Sequence, residues 1–135
     1  MRGLEPICRE FGVLSVYLFG SRADDGLRVL RGEQVAASGS DLDVGVFFVS
    51  PQVDSSALGR LQIALEDLFE PLRVDLVPLD RVDPLFQFRA IDGHRVATTE
   101  SNAADERELE VMRRAADLLP FQREAELAIF GVATS

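Results

Sequence analysis

The sequence predicts an α/β fold of the α+β type, in which helices pack on a mixed β-sheet. Short runs of β-forming residues alternate with stretches whose apolar residues recur at helical spacing. The 135 residues are enough to bury one core, and a hydrophobic content of 47% indicates a chain that folds. We therefore predict a single domain over 1–135, with its core at 13–99 and a C-terminal helical segment at 103–130.

The first part of the chain predicts one helix, two strands and a long loop between the strands. Apolar residues at helical spacing predict a short helix over 2–12. The apolar, β-rich run 13–19 predicts a buried strand. Residues 22–40 are polar and contain glycine and charges of both signs, which indicates a loop with room for one helical turn after Ser21. The Val- and Phe-rich run 41–49 predicts the second strand.

The middle of the chain continues the alternation of helix and strand. An apolar face preceded by N-cap candidates predicts a helix over 54–70. A third strand is predicted at 73–77, a short helix at 83–92 and a small edge strand at 95–99.

The last predicted helix covers 103–119, and Pro120 is expected to interrupt it. Its inward residues are predicted to be Leu109, Met112, Ala116 and Leu119. The tail 121–130 is again amphipathic and either closes the core or forms a groove for a partner helix.

The lengths of the connections predict how the strands pair. The helix 54–70 is long enough to be a crossover, so strands 41–49 and 73–77 are expected to be parallel. The link between the first two strands contains no strong helix, which allows an antiparallel pair. That pair would bring Gly20 and Ser21 beside the start of the second strand.

Composition limits the classes of function. The formal net charge of -9 repels a polyphosphate backbone, so binding to a nucleic-acid polymer is not expected. A single bound nucleotide stays possible because a divalent metal can neutralise its phosphates. Cys8 is the single cysteine, so no internal disulfide can form, and it is predicted to be a core residue. The sequence contains neither a signal-peptide pattern nor a membrane span, which predicts a cytoplasmic protein.

Acidic side chains interrupt two of the apolar strands. Asp41 and Asp43 open the second strand, directly after Ser40, and alternation places both on one face. Asp75 lies inside the third strand, at the same end of the sheet if the strands are parallel. Such carboxylates are costly unless they are neutralised, and Mg²⁺ prefers oxygen ligands. They could converge on one or two metals, although acids at strand starts are also common without function.

A second motif follows the first strand. Gly20 allows a phosphate to approach the backbone, Ser21 offers a hydroxyl and an amide, and Arg22 offers a cation. An ordinary turn from strand to loop explains the same residues equally well. The combination with the carboxylates favours a phosphate site.

Together these motifs resemble the DNA polymerase β-like nucleotidyltransferases. The pattern is Gly20-Ser21, a spacer, Ser40-Asp41-Leu42-Asp43 and Asp75 in a later strand. The resemblance is greatest to the minimal nucleotidyltransferases, small prokaryotic proteins often called MntA antitoxins. It runs from about residue 13 to residue 99 and includes the stretch from Phe88 to Gly93.

The resemblance implies a polymerase β-like fold and a reaction that uses ATP and Mg²⁺. It implies that Asp41, Asp43 and Asp75 are catalytic metal ligands, with Asp75 as a candidate general base. Gly20, Ser21, Arg22 and Ser40 would bind the nucleotide and its phosphates. In the antitoxin group the acceptor is a tyrosine of a cognate HEPN-domain ribonuclease toxin, so a hetero-oligomer is expected.

Two features depart from the family pattern and leave alternatives open. The spacer 22–40 is longer than usual, and Asp24 and Asp25 stand where a second arginine often occurs. A binding module that neutralises its partner by occlusion alone is therefore one alternative. A small-molecule transferase acting on an antibiotic is another. His94, the single histidine, is predicted to have a surface or turn role.

Overall fold

A computed structural model describes the backbone of residues 3–130 and the side chains of residues 3–120. The elements in chain order are α1 (Leu4–Phe11), β1 (Val13–Phe19), α2 (Ala23–Leu30), β2 (Leu42–Phe48), α3 (Ser55–Phe69), β3 (Val74–Pro78), a 3₁₀ turn (Leu79–Arg81), α4 (Pro84–Ile91), β4 (His94–Thr98) and α5 (Ser101–Phe130). No helix in the described part of the chain is long and apolar enough to cross a membrane.

The four strands form one mixed sheet in the order β3-β2-β1-β4. β1 is antiparallel to both β2 and β4, whereas β2 is parallel to β3, so both predicted pairings are confirmed. Helix α3 makes the crossover between the two parallel strands and is long enough to do so. The fold class is the predicted one.

Every residue of β1 is buried because the sheet is covered on both faces. Alternate residues of the strand enter different cores: Val16 and Leu18 pack with α1 and α3, whereas Tyr17 and Phe19 pack towards α4 and α5. Tyr17 also donates a hydrogen bond of 2.6 Å to Glu108 Oε2 on α5. The central strand is thereby fixed from both sides.

The segment after β1 was predicted to be a loop with room for one helical turn, but it contains a longer helix. Residues 23–30 form a two-turn helix, α2, whose buried residues are Ala23 and Gly26. A Cβ on Gly26 would lie 2.8 Å from Leu18 Cδ1 and 2.9 Å from Leu42 Cδ1, so glycine allows α2 to lie close against the sheet. Packing therefore outweighs the weak helix propensity of an Asp-Asp-Gly sequence.

Helix α5 differs from its prediction in continuity. Pro120 does not interrupt it, because the backbone is helical from Ser101 to Phe130. A proline removes the hydrogen bond to the carbonyl four residues earlier, which here belongs to the exposed Ala116, where water can bind it. The predicted amphipathic role of 121–130 depends on side chains outside the described residues.

The inward face of α5 was also predicted wrongly. Leu109, Met112 and Leu119 are 53%, 43% and 55% exposed, and Ala116 is exposed as well. The buried residues are instead the small or β-branched Ala104, Val111 and Ala115. Ion pairs fix this rotation, because Arg107 and Glu108 on the inner side contact Asp80 and Arg95.

Cys8 is buried on α1, as predicted, and its environment yields a testable consequence. Burial, together with the charge of Glu5, raises the pKa of the thiol to about 11. Because only the thiolate reacts, we expect a thiol reagent at pH 8 to label native protein at least ~100-fold more slowly than protein in denaturant. Absorbance of the released reagent measures the rates, and equal rates would contradict the buried position.

Candidate active site

The register of the sheet brings the predicted carboxylates to one end of the strands. Asp43 on β2 is opposite Phe19 on β1 and opposite Asp75 on β3. Asp41 lies one residue before β2, in exposed backbone. Asp43 is half-buried, whereas Asp41 and Asp75 are exposed. The site therefore has one inner carboxylate and two outer ones.

The electrostatics of Asp43 show that these acids act on one another. Burial raises the pKa of Asp43, and the adjacent carboxylate of Asp75 raises it further by its charge and by hydrogen bonding. Asp41 adds to the rise, and the guanidinium of Arg89 opposes it. A bound cation would relieve the same repulsion.

The oxygen atoms of Asp41, Asp43 and Asp75 are the ligands that this site offers to a magnesium ion. The three acids supply hard oxygen atoms, which Mg²⁺ prefers. Among the described residues, no group of three acidic, histidine or cysteine side chains is arranged to hold a metal ion by itself. The carboxylates are therefore suited to provide part of a coordination shell, which phosphate oxygens and water would complete, as is usual for Mg²⁺ with nucleotides.

Gly20 forms the floor of the site next to Asp43. Its φ of 78° lies in the left-handed region, and a Cβ at this position would overlap Asp43 Oδ2. Both constraints require glycine. Ser21 follows, with its hydroxyl 2.9 Å from the hydroxyl of Ser40. The end of β1 and the start of β2 are thus joined, and three of the predicted nucleotide-binding residues are together.

Arg22 has a different position from the one expected of a phosphate ligand. Its side chain is 10% exposed, and its guanidinium points into the loop before β2. It makes four hydrogen bonds, to Asp25 Oδ2 (2.7 Å) and to the carbonyls of Ala36 (2.6 Å), Ser38 (3.0 Å) and Ser40 (3.1 Å). Arg22 therefore holds the loop that delivers Ser40 and Asp41, and direct phosphate binding by Arg22 stays an untested prediction.

A cavity of about 290 Å³ opens beside Gly20 and Ser21. Its lining comprises Phe19, Gly20, Ser21, Ala23, Asp24, Arg89, Asp92, Gly93 and His94. The backbone from α4 to β4 therefore forms the wall opposite the glycine-serine turn.

Sequence reasoning gave no role at this wall to Arg89 or His94. His94 is exposed, as predicted, and its Nε2 lies 3.2 Å from Asp24 Oδ1. The pairing of Leu18 with His94 across β1 and β4 brings the histidine here, and no local motif signals that contact.

The two acidic residues after Arg22, Asp24 and Asp25, lie in different surroundings. Asp25 pairs with Arg22 and Arg28 and does not line the cavity. Asp24 lines the cavity and pairs with His94. Only one of the two carboxylates is therefore near the proposed phosphate position.

The family model for "Polymerase beta, Nucleotidyltransferase" matches residues 3–103. This chain belongs to the polymerase β nucleotidyltransferase family. Comparison with curated proteins found no match for this nucleotidyltransferase.

Solved structures share the fold of the nucleotidyltransferase at low sequence identity. One is from the toxin–antitoxin MntA-HpeT, with a TM-score of 0.66, 17% identity and 94% of each chain covered. A second is from the tri-AMPylated Shewanella oneidensis HEPN toxin in complex with MNT antitoxin, with a TM-score of 0.62, 17% identity and coverage of 94% of this chain and 92% of that one. A third is from a toxin–antitoxin with AMP-PNP, with a TM-score of 0.63, 18% identity and 94% of each chain covered.

Asp43→Asn is expected to stabilise the nucleotidyltransferase in metal-free buffer at neutral pH. The raised pKa means that the ionised form of Asp43 destabilises the fold, and this cost disappears as the pH falls through the raised pKa. We expect a gain of about 0.5–1 kcal/mol in the free energy of unfolding, measured with urea, because solvent screens a partly exposed carboxylate. The exposed Asp117→Asn is the control and should change stability by less than about 0.5 kcal/mol. A loss of stability in Asp43→Asn would contradict the repulsion.

Arg22→Lys tests the loop contact, because lysine keeps the charge but cannot make the branched set of hydrogen bonds. We expect unfolding to become about 1–3 kcal/mol easier, since the buried side chain at position 22 loses most of its hydrogen bonds. Arg31→Lys is the matched control, because its pair with Glu33 is exposed and contributes little. Equal stabilities of the two variants would refute the role given to Arg22.

Proposed function

We propose that this chain is a Mg-ATP-dependent nucleotidyltransferase that adenylylates a tyrosine of a HEPN-type ribonuclease toxin and so acts as its antitoxin. The observation that carries the proposal is the register that aligns Asp43 with Asp75 beside Gly20 and Ser21. The family match supports nucleotide transfer. The likeness to a solved complex that contains an AMPylated HEPN toxin supports the partner and, with it, a cytoplasmic setting.

The residues of the site divide into three tasks. Asp41, Asp43 and Asp75 would hold Mg²⁺, which when bound supplies positive charge to the triphosphate and to the leaving pyrophosphate. Gly20 and Ser21 would bind phosphate oxygens through backbone amides and the serine hydroxyl, beside Ser40. These contacts would fix the α-phosphorus in front of the carboxylates.

Asp75 is suited to act as the general base. It would take the proton from the acceptor hydroxyl while the oxygen bonds to the α-phosphorus and the bond to pyrophosphate breaks. The products are an AMP ester of the acceptor and pyrophosphate. Asp75 lies on β3, the edge strand, and is exposed, so a side chain of another protein can reach it. That exposure favours a macromolecular acceptor.

Co-expression with the candidate toxin and labelled ATP tests the activity. We expect wild-type protein to transfer AMP, and the double variant Asp41→Ala with Asp43→Ala to transfer at least ~1000-fold less, because the main metal ligands are gone. Asp117→Ala is the matched control for removal of an exposed acid. Mass spectrometry locates the modified residue, and a thermal melt confirms that the double variant folds. Undiminished transfer by that variant would refute the site.

A second candidate function is neutralisation by binding alone. The observation that favours it is Arg22, whose guanidinium is used by the loop instead of the cavity. In this case the folded double variant would still protect cells from the toxin, and no AMP would appear on the toxin. Loss of protection together with loss of AMP would exclude it.

A further inference from the structure

The wall opposite Gly20 and Ser21 is rigidly attached to the end of β1. Gly93 joins α4 to β4, and a Cβ there would overlap the carbonyl oxygen of Leu18 and lie 3.0 Å from Phe19 Cβ. The turn is therefore pressed against the strand that ends in Gly20. Arg89, on the last turn of α4, and His94, the first residue of β4, are held at a fixed position relative to the glycine-serine turn.

Arg89 places a positive charge at the cavity, which Arg22 does not line. Within residues 3–120, the guanidinium of Arg89 makes no hydrogen bond or ion pair, although it is exposed at the cavity. Its charge still reaches the carboxylates, because it lowers the pKa of Asp43 against the effect of burial. A guanidinium with unused donors beside acidic metal ligands is suited to an anion that binds together with the metal.

His94 and Asp24 complete the rim of the cavity. The contact between His94 Nε2 and Asp24 Oδ1 is exposed, so its two partners can separate at little cost. A phosphate oxygen near the imidazole would compete with Asp24 for the same ring nitrogen. Asp24 therefore opposes the binding of an anion, whereas Arg89 and His94 favour it.

We propose that Arg89 and His94 bind the β- and γ-phosphates of the nucleotide opposite Gly20 and Ser21, and hold the pyrophosphate as it leaves, with Asp24 as a competing carboxylate. This inference deepens the proposed function and depends on it for the identity of the ligand. It goes beyond the Gly-Ser motif because it assigns the second wall of the phosphate site. Arg89 is a catalytic residue in this scheme, because it touches the leaving group.

Calorimetric titration with Mg-pyrophosphate, and separately with Mg-ATP and AMP, tests the assignment without any acceptor. Arg89→Gln should weaken Mg-pyrophosphate and Mg-ATP by about tenfold or more, and leave AMP unchanged. Arg89→Lys should recover part of the loss, since the charge stays but the fork does not. His94→Gln should weaken both phosphate ligands by roughly threefold to tenfold, the loss expected for one hydrogen bond.

Asp24→Asn gives the result with the opposite sign. Removal of its charge should tighten Mg-pyrophosphate by about threefold or more, which a merely structural role would not produce. Arg113→Gln, on the exposed face of α5, changes the net charge by the same amount as Arg89→Gln and should have no effect. Stepwise salt addition should reduce the difference between wild type and Arg89→Gln if the contact is electrostatic.

The outcomes separate the two proposals. Pyrophosphate affinity that falls in Arg89→Gln, in a protein that transfers no AMP, would keep the phosphate site and reject the transferase. AMP transfer by wild type with unchanged pyrophosphate affinity in Arg89→Gln would reject the assignment of Arg89 and keep the transferase. Absence of pyrophosphate and ATP binding to wild type would overturn the assignment as well.

Discussion

The register of β2 between its two neighbours is the constraint on which the site depends. Side chains alternate along a strand, so a shift of one residue would move Asp43 to the opposite face and bring a buried aliphatic residue to the site. The shift is opposed because Leu42, Val44 and Val46 are fully buried on the other face. The hydrophobic core therefore aligns the carboxylates, and the order of the site is stabilised by residues that take no part in it.

Two arginines have the roles that a single arginine after the Gly-Ser motif would be expected to have: one stabilises the following loop, and the other lines the cavity. Arg22 stabilises the long segment before β2 through three carbonyls and one carboxylate, so the extended spacer still delivers Ser40 and Asp41 to the site. Because the Arg22 side chain is buried and hydrogen-bonded to these acceptors, moving it out of the loop would cost free energy. Arg89, which comes from a distant part of the chain, is then the arginine that lines the cavity.

The parts of the structure that depend on local pattern could be predicted from the sequence. The β-rich runs and the length of the 54–70 helix predicted the parallel pair of β2 and β3 and allowed the antiparallel pair of β1 and β2, whereas the pairing of β4 with β1 was not predicted. The strand period predicted the shared face of the acids. Helix α2 could not be predicted, because Gly26 is favourable only against Leu18 and Leu42. The inner face of α5 could not be predicted either, since ion pairs with Asp80 and Arg95 outweigh the larger apolar residues. Arg89 and His94 reach the site through antiparallel pairing over about 75 residues of sequence separation, for which no local signal exists.

The net negative charge of the chain makes the cations at the cavity important for the proposed nucleotide binding. A formal net charge of -9 repels a nucleoside triphosphate at long range, and the raised pKa of Asp43 shows that the carboxylates also repel one another. Long-range repulsion is screened within about 10 Å at physiological salt, so local charges decide the affinity. In the proposed function, magnesium would neutralise the inner part of the site, whereas the outer phosphates would extend beyond the carboxylates. The guanidinium of Arg89, which lines the cavity, would balance that remaining negative charge.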